Sequence, residues 1–250
     1  MLTEETMQSK IRGLYLLAGI SALIAMAANL LDVVLGFGST EITAYGTKSA
    51  LDWFTLFHED GFNGLYTLGL FNIVYMSAMI PVYFALYVAH RRADGPSAAL
   101  AMITAFIATA VYISNNAAIP MHALSVKYAA AVSEAQKAPL LAAGEAALAR
   151  GEDFTPGSFI GLILGGIAAV TVSFVMRSGR IFGRMNAWAG IIGFTFLSVF
   201  TVLATFVPSL YWIAFYVFGM IGGLLALVWF ALVGLKFFKL GRQAPRTESE

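Results

Sequence analysis

Residues 112–122 read Tyr112-Ile-Ser-Asn-Asn-Ala-Ala-Ile-Pro120-Met-His122, and the chain changes character inside them. Two adjacent asparagines close an apolar run. Pro120 stops it, because proline lacks a backbone N–H and crowds the preceding turn. Beyond His122 an alanine-rich polar segment continues to Asp153, unlike anything else in the sequence. The flanking sequence is built to cross a bilayer. Of 250 residues 59% are hydrophobic and only 12% charged, against roughly 25% charged in an average soluble domain.

Working backward, 97–119 is the third apolar run. The tight basic turn His90-Arg-Arg-Ala-Asp94-Gly-Pro96 joins it to the second, 62–89, where Pro81 predicts a kink. Residues 38–61 are a loop in which Leu51, Phe54, Phe57 and His58 recur at helical spacing beside Trp53. That pattern predicts a short amphipathic helix at headgroup level. The first run is 14–37. Its Ala25-Met-Ala27 imitates a signal-peptide cleavage site, but the apolar residues continue past it to spanning length.

Working forward, Leu124, Tyr128 and Val132 form one stripe within 120–156, and Leu141 and Leu148 suggest another. These predict a helix pair, divided at Pro139, lying on or above the membrane surface. Thr155-Pro156 predicts the N-cap and first-turn proline of the fourth run, 157–176. The fifth and sixth runs, 185–207 and 210–235, are separated by Pro208-Ser209. The expected fold is all-α: one domain over 1–250, polytopic, with six transmembrane helices and an outward helical excursion between the third and fourth. With both termini on one side, that side collects eleven of the fifteen Lys and Arg residues. This predicts cytoplasmic termini and extracytoplasmic segments at 38–61 and 120–156.

A net charge of +1 gives no electrostatic reason to expect a nucleic-acid partner. The absence of cysteine excludes disulfides, thiolate nucleophiles and thiolate metal sites. No Walker loop, dinucleotide fingerprint or nucleophile elbow occurs, and no histidine falls within a predicted span to ligate haem. No cofactor is therefore expected.

Polar side chains inside lipid are expensive, so each needs a reason. Asn29 and Asp32 share a face of the first helix, Asn72 lies in the second, and Asn115 and Asn116 end the third. Thr109, Tyr112 and Asn116 share one face of that third helix. All occupy the outward halves of the first three spans, so with His122 they are expected to line one outward-facing ligand pocket. The structural alternative is that the asparagines are helix caps or interhelical hydrogen bonds. A sharper alternative takes His58, Asp60 and His122 as ligands of a catalytic metal in a hydrolase, although no metal-binding motif spacing supports it. The hydroxyls of Thr195, Ser198, Thr201 and Thr205 on the fifth helix read as packing. Gly157, Gly161 and Gly165 recur every fourth residue, a spacing that admits a neighbouring helix, in the same chain or in a homo-oligomer.

The run Ser114-Asn-Asn-Ala-Ala-Ile-Pro-Met-His-Ala-Leu-Ser125, with Tyr128-Ala-Ala-Ala, Leu141-Ala-Ala-Gly144 and the opening Arg12-Gly-Leu-Tyr-Leu-Leu-Ala-Gly19, resembles a family of bacterial six-span membrane proteins classed as a domain of unknown function. His122 departs from that pattern, which has an apolar residue there. The resemblance implies a bacterial cytoplasmic (inner) membrane location and no particular activity. The leading expectation is a protein, set in the lipid bilayer, that binds or passes a small molecule or lipid. A metal-assisted hydrolase and a structural or regulatory membrane subunit are the alternatives.

Overall fold

The computed structural model describes residues 4–38 and 48–243, and every regular element among them is helical. The first part of the 38–61 loop and the tail with Arg246 lie outside the described residues.

Helix α1 (Glu4–Gly38) carries the first apolar run and begins ten residues before it. Four short helices follow the other long elements in sequence or interrupt them: α2 (Ala50–Glu59), α3 (Gly61–Thr67), α5 (Ala118–Ala130) and α6 (Glu134–Gly151). The remaining long helices are α4 (Leu70–Asn115), α7 (Pro156–Gly179) and α8 (Arg184–Phe206). A last stretch begins as α9 (Tyr211–Ala214), widens into a π-turn over Phe215–Gly219, and continues as α10 (Met220–Arg242).

Five helical stretches are long and apolar enough to cross a membrane, where the sequence reading expected six. The difference lies in α4, which unites the second and third apolar runs and is interrupted only at Asp94 (φ −153°, ψ 73°). Thr109 Oγ1 donates to the Met76 carbonyl at 3.4 Å across 33 residues. A straight helix would hold those residues about 50 Å apart. Helix α4 is therefore a hairpin, and its limbs, 70–93 and 95–115, lie side by side. The Asp94 carboxyl accepts from the Ser97 N–H at 3.3 Å. It thus caps the second limb, whose first turn holds Pro96 where a missing N–H costs nothing.

The long helices close a ring: α1 packs on α4 and α10, α4 on α7, α7 on α8, and α8 on α10. Inside it are Trp229, Phe230, Phe237, Leu86 and Met176, with alanines at the closest approaches. Outside, Ile24, Val33, Leu100, Ile103, Ile167 and Leu224 are exposed. Such an apolar exterior suits a lipid solvent and not water. The glycine series faces inward. A Cβ at Gly161 would meet the Tyr112 backbone at 3.1 Å, one at Gly157 would collide with the Arg150 carbonyl, and one at Gly165 would touch Met76. These three glycines seat α7 against α4 and the end of α6.

The four short helices form a cover over the same ends of α1, α4 and α7, around Trp53, Phe54, Phe57, Met121 and Leu148. In three places the structure departs from the expected pattern. Helix α2 buries Ala50, Trp53, Phe54 and Phe57, leaves Leu51 and His58 exposed, and packs on α5 and α6, so its apolar stripe is turned by one residue. The second apolar run does not start as one helix at residue 62: α3 ends first, and Gly69 (φ 92°), in the left-handed region open to glycine, redirects the chain into α4. Pro139 lies within α6 and does not divide the polar segment. The break is at 131–133, where the Gln136 side chain accepts from the Val132 N–H at 2.9 Å and Ser133 is the N-cap. Pro139, in the second turn of α6, costs that helix one backbone hydrogen bond without ending it.

Thr155 and Pro156 do begin α7, as expected, but the Thr155 hydroxyl donates back to the Glu152 carbonyl at 2.6 Å. On α8, Ser198 and Thr201 bond to carbonyls of the preceding turn, the behaviour of packing hydroxyls.

Candidate functional site

Polar groups from α1 and from both limbs of α4 meet beneath the cover, around Asp153 at the end of the polar segment. Asp153 sits in the link 152–155 between α6 and α7 and is buried. The next residue, Phe154, is in the left-handed backbone region (φ 57°), which costs a non-glycine residue of order 1 kcal/mol or more. Its ring packs on Phe200 with centroids 4.8 Å apart. The strained turn, held by that contact, carries Asp153 inward.

Both Asp153 carboxyl oxygens are engaged. Tyr112 Oη donates to Oδ1 at 2.6 Å, and Asn72 Nδ2 donates to Oδ2 at 2.8 Å. Asn116, one helical turn beyond Tyr112, places its Nδ2 3.4 Å from Tyr112 Oη and 3.4 Å from the Leu68 carbonyl. Its Oδ1 accepts from the Ala118 N–H at 3.0 Å, which ties the end of α4 to the start of α5. The hairpin makes this possible, since Asn72 opens one limb of α4 while Tyr112 and Asn116 close the other. Gly69 lies against the cluster: a Cβ there would stand 3.0 Å from Asn116 Nδ2 and 3.1 Å from Tyr112 Oη. Both its backbone angle and its neighbours require glycine.

Asp32 approaches from α1. It is half-buried and close enough to Asp153 and Tyr112 to interact electrostatically with both. Among the described residues neither Asp32 nor Asp153 has an ion-pair partner. Two carboxyls at close quarters in a low-dielectric setting repel when both are charged, and a positive or hydrogen-bond-donating guest between them relieves that repulsion.

The other expected site residues lie elsewhere. Asn29 donates to the Ala25 carbonyl at 2.9 Å, a bond within its own helix. Asn115 points about 100° away from Asn116, as successive residues of a helix must. It donates to the Gly157 carbonyl at 3.2 Å and accepts from Arg150 Nε at 2.9 Å, on the rim of an open groove of about 240 Å³ with Ser114, Pro120 and Ala146. His122 packs edge-on against Phe57 inside the cover. His58 is exposed, and Asp60 accepts from the Asn63 N–H at 3.0 Å as the cap of α3. Among the described residues no group of three or more His, Asp or Glu side chains could hold a metal ion, so His58, Asp60 and His122 do not form the centre considered from sequence.

Of the six residues expected to share one pocket, Asp32, Asn72 and Asn116 converge, while Asn29, Asn115 and His122 do not. Asp153 was missed: it stands two residues before the Thr155-Pro156 helix start, but Asp60 stands as close to the run 62–89, so position alone did not single it out. No family model, curated protein or solved structure matches this chain.

Proposed function

We propose that this chain is a six-crossing integral membrane protein of the bacterial cytoplasmic membrane, with both termini inside and the cover outside. At the Asp32–Asp153 cluster it binds or passes a small molecule or lipid that is cationic or rich in hydrogen-bond donors. The hairpin of α4 supports the count, since each limb is a separate apolar run. The clustering of Arg91, Arg92, Arg177, Arg180, Lys236 and Lys239 in turns and ends away from the cover supports the orientation. Bacterial origin rests on the family resemblance alone. The observation that carries the function is Asp153: a buried carboxyl, held by Tyr112 and Asn72 and within electrostatic reach of the Asp32 carboxyl on another helix.

The test uses Asp32→Asn, which keeps the shape and removes the charge of a side chain that makes no hydrogen bond among the described residues. Protein purified from its native membrane is analysed for bound small molecules by mass spectrometry, alongside its melting temperature. Lower occupancy at an unchanged melting temperature supports a binding site. Equal occupancy in parent and variant, or a guest found in neither, would remove the argument.

A further inference from the structure

The end of the bundle opposite the cover carries a second polar site, and it does not depend on the first. Helix α8 starts at Gly183, which has no side chain to offer, and its first turn has no side-chain cap. A helix start presents N–H groups without intrahelical partners at the positive end of the helix dipole, a setting that accepts phosphate. Between this start and the last turns of α10 lies a cavity of about 200 Å³, lined by Gly183, Met185, Asn186, Leu232, Lys236 and Lys239. Among the described residues no acidic one lines it.

Asn186 supplies an independent sign of a ligand. It is 3% exposed, and its Oδ1 has no hydrogen-bond partner. A buried acceptor left unpaired carries its full desolvation cost and calls for a donor. The lining therefore asks for three things at once: anionic oxygens for two ammonium groups and a helix start, a hydrogen-bond donor for Asn186, and apolar chains beside Met185 and Leu235, which are 66% and 55% exposed. Inorganic phosphate, which carries anionic oxygens and an O–H, still lacks the apolar chains. Basic pockets between membrane helices are recognised sites for anionic headgroups.

We propose that this cavity binds an anionic glycerophospholipid of the phosphatidylglycerol type. Its phosphodiester lies against Lys236, Lys239 and the α8 start, a headgroup hydroxyl donates to Asn186 Oδ1, and its acyl chains run along Met185 and Leu235.

The experiment titrates the full chain in neutral detergent with dioctanoyl phosphatidylglycerol, dioctanoyl phosphatidylcholine, dioctanoyl phosphatidic acid and inorganic phosphate. Native mass spectrometry counts the bound molecules, and the melting temperature is followed in parallel. Phosphatidylglycerol should bind and raise the melting temperature, whereas phosphatidylcholine and inorganic phosphate should do neither. Lys236→Gln and Lys239→Gln should each weaken phosphatidylglycerol about fivefold, and both together about 25-fold. Asn186→Ala should abolish the preference for phosphatidylglycerol over phosphatidic acid, whose headgroup carries no glycerol hydroxyl. If that variant does not fold, the lysine variants, on more accessible positions, decide. Equal binding by the parent and the double lysine variant overturns the site. A response to inorganic phosphate matching that to phosphatidylglycerol overturns the lipid and leaves a free-anion site.

Discussion

At the covered end Asp153 commits both carboxyl oxygens to Tyr112 and Asn72. At the basic end Asn186 keeps an unpartnered Oδ1 beside two lysines. The backbones differ in the same sense. Gly151 and Gly69 at the covered end sit so close to their neighbours that neither tolerates a Cβ, whereas Gly95 and Gly183 at the basic end have no atom within 4 Å of one. One end is a closed polar network sealed by helix ends that fit together, and the other sets close contacts, such as Gly179 against His90, beside turns with open space at Gly95 and Gly183. The contrast shows that polar residues in an apolar bundle serve opposite purposes depending on whether the fold supplies their partners.

The largest effect that would break this comparison is at the tightest contact. A Cβ at Gly151 would collide with the Asn115 carbonyl, backbone against backbone, at the point where Ala117 N–H donates to Gly151 O. Gly151→Ala should cost about 3 kcal/mol, the upper end of overpacking penalties. Gly95→Ala should stay within about 0.5 kcal/mol, as for an ordinary surface change. Melting temperatures of the two variants in one detergent make the comparison, and similar losses would show that the ends do not differ in packing.

The next effect sharpens the network itself. Tyr112→Phe removes the donor to a buried carboxyl and leaves its ring in place, at an expected cost of about 1.5–3 kcal/mol. A loss below about 0.5 kcal/mol, the bound for a change away from any such feature, would mean that the Tyr112–Asp153 bond contributes little and that the cover is held by its apolar core alone.

The smallest effect concerns the cover's own edge. The Ser49 hydroxyl and then the Ser49 N–H, both donating to Asp52, hold the Asp52 carboxyl below the usual aspartate range. Because the folded value is depressed, this contribution is complete above the ordinary value of 3.8 and fades as the pH falls through the lower folded value. Ser49→Ala should cost about 1 kcal/mol at neutral pH, as for other lost caps. The gap between parent and variant melting temperatures should narrow on acidification below the ordinary value. A gap that is constant with pH would assign the effect to the Ser49–backbone bond alone.

Much of this architecture was legible before any coordinates. Apolar runs long enough to cross a membrane announce themselves because hydropathy is summed over neighbours in the chain, and the Thr155-Pro156 start of α7 is equally local. The convergence of Asp32, Asn72 and Asn116 was also within reach, since each sits near the same end of its helix and depth follows from a fixed rise per residue. What the sequence could not convey was direction about the helix axis and the partners met there. Asn115 and Asn116 look equivalent in sequence, but a rotation of about 100° sends one to the groove and the other to the network. Asp153 is paired with Asn72 across 81 residues and with Tyr112 across 41. Only the hairpin at Asp94 and the strained turn at Phe154 bring those groups together. Composition and spacing therefore determined which residues are costly to bury, and tertiary packing alone decided which of them are satisfied, because a hydrogen bond depends on where the far end of another helix comes to rest.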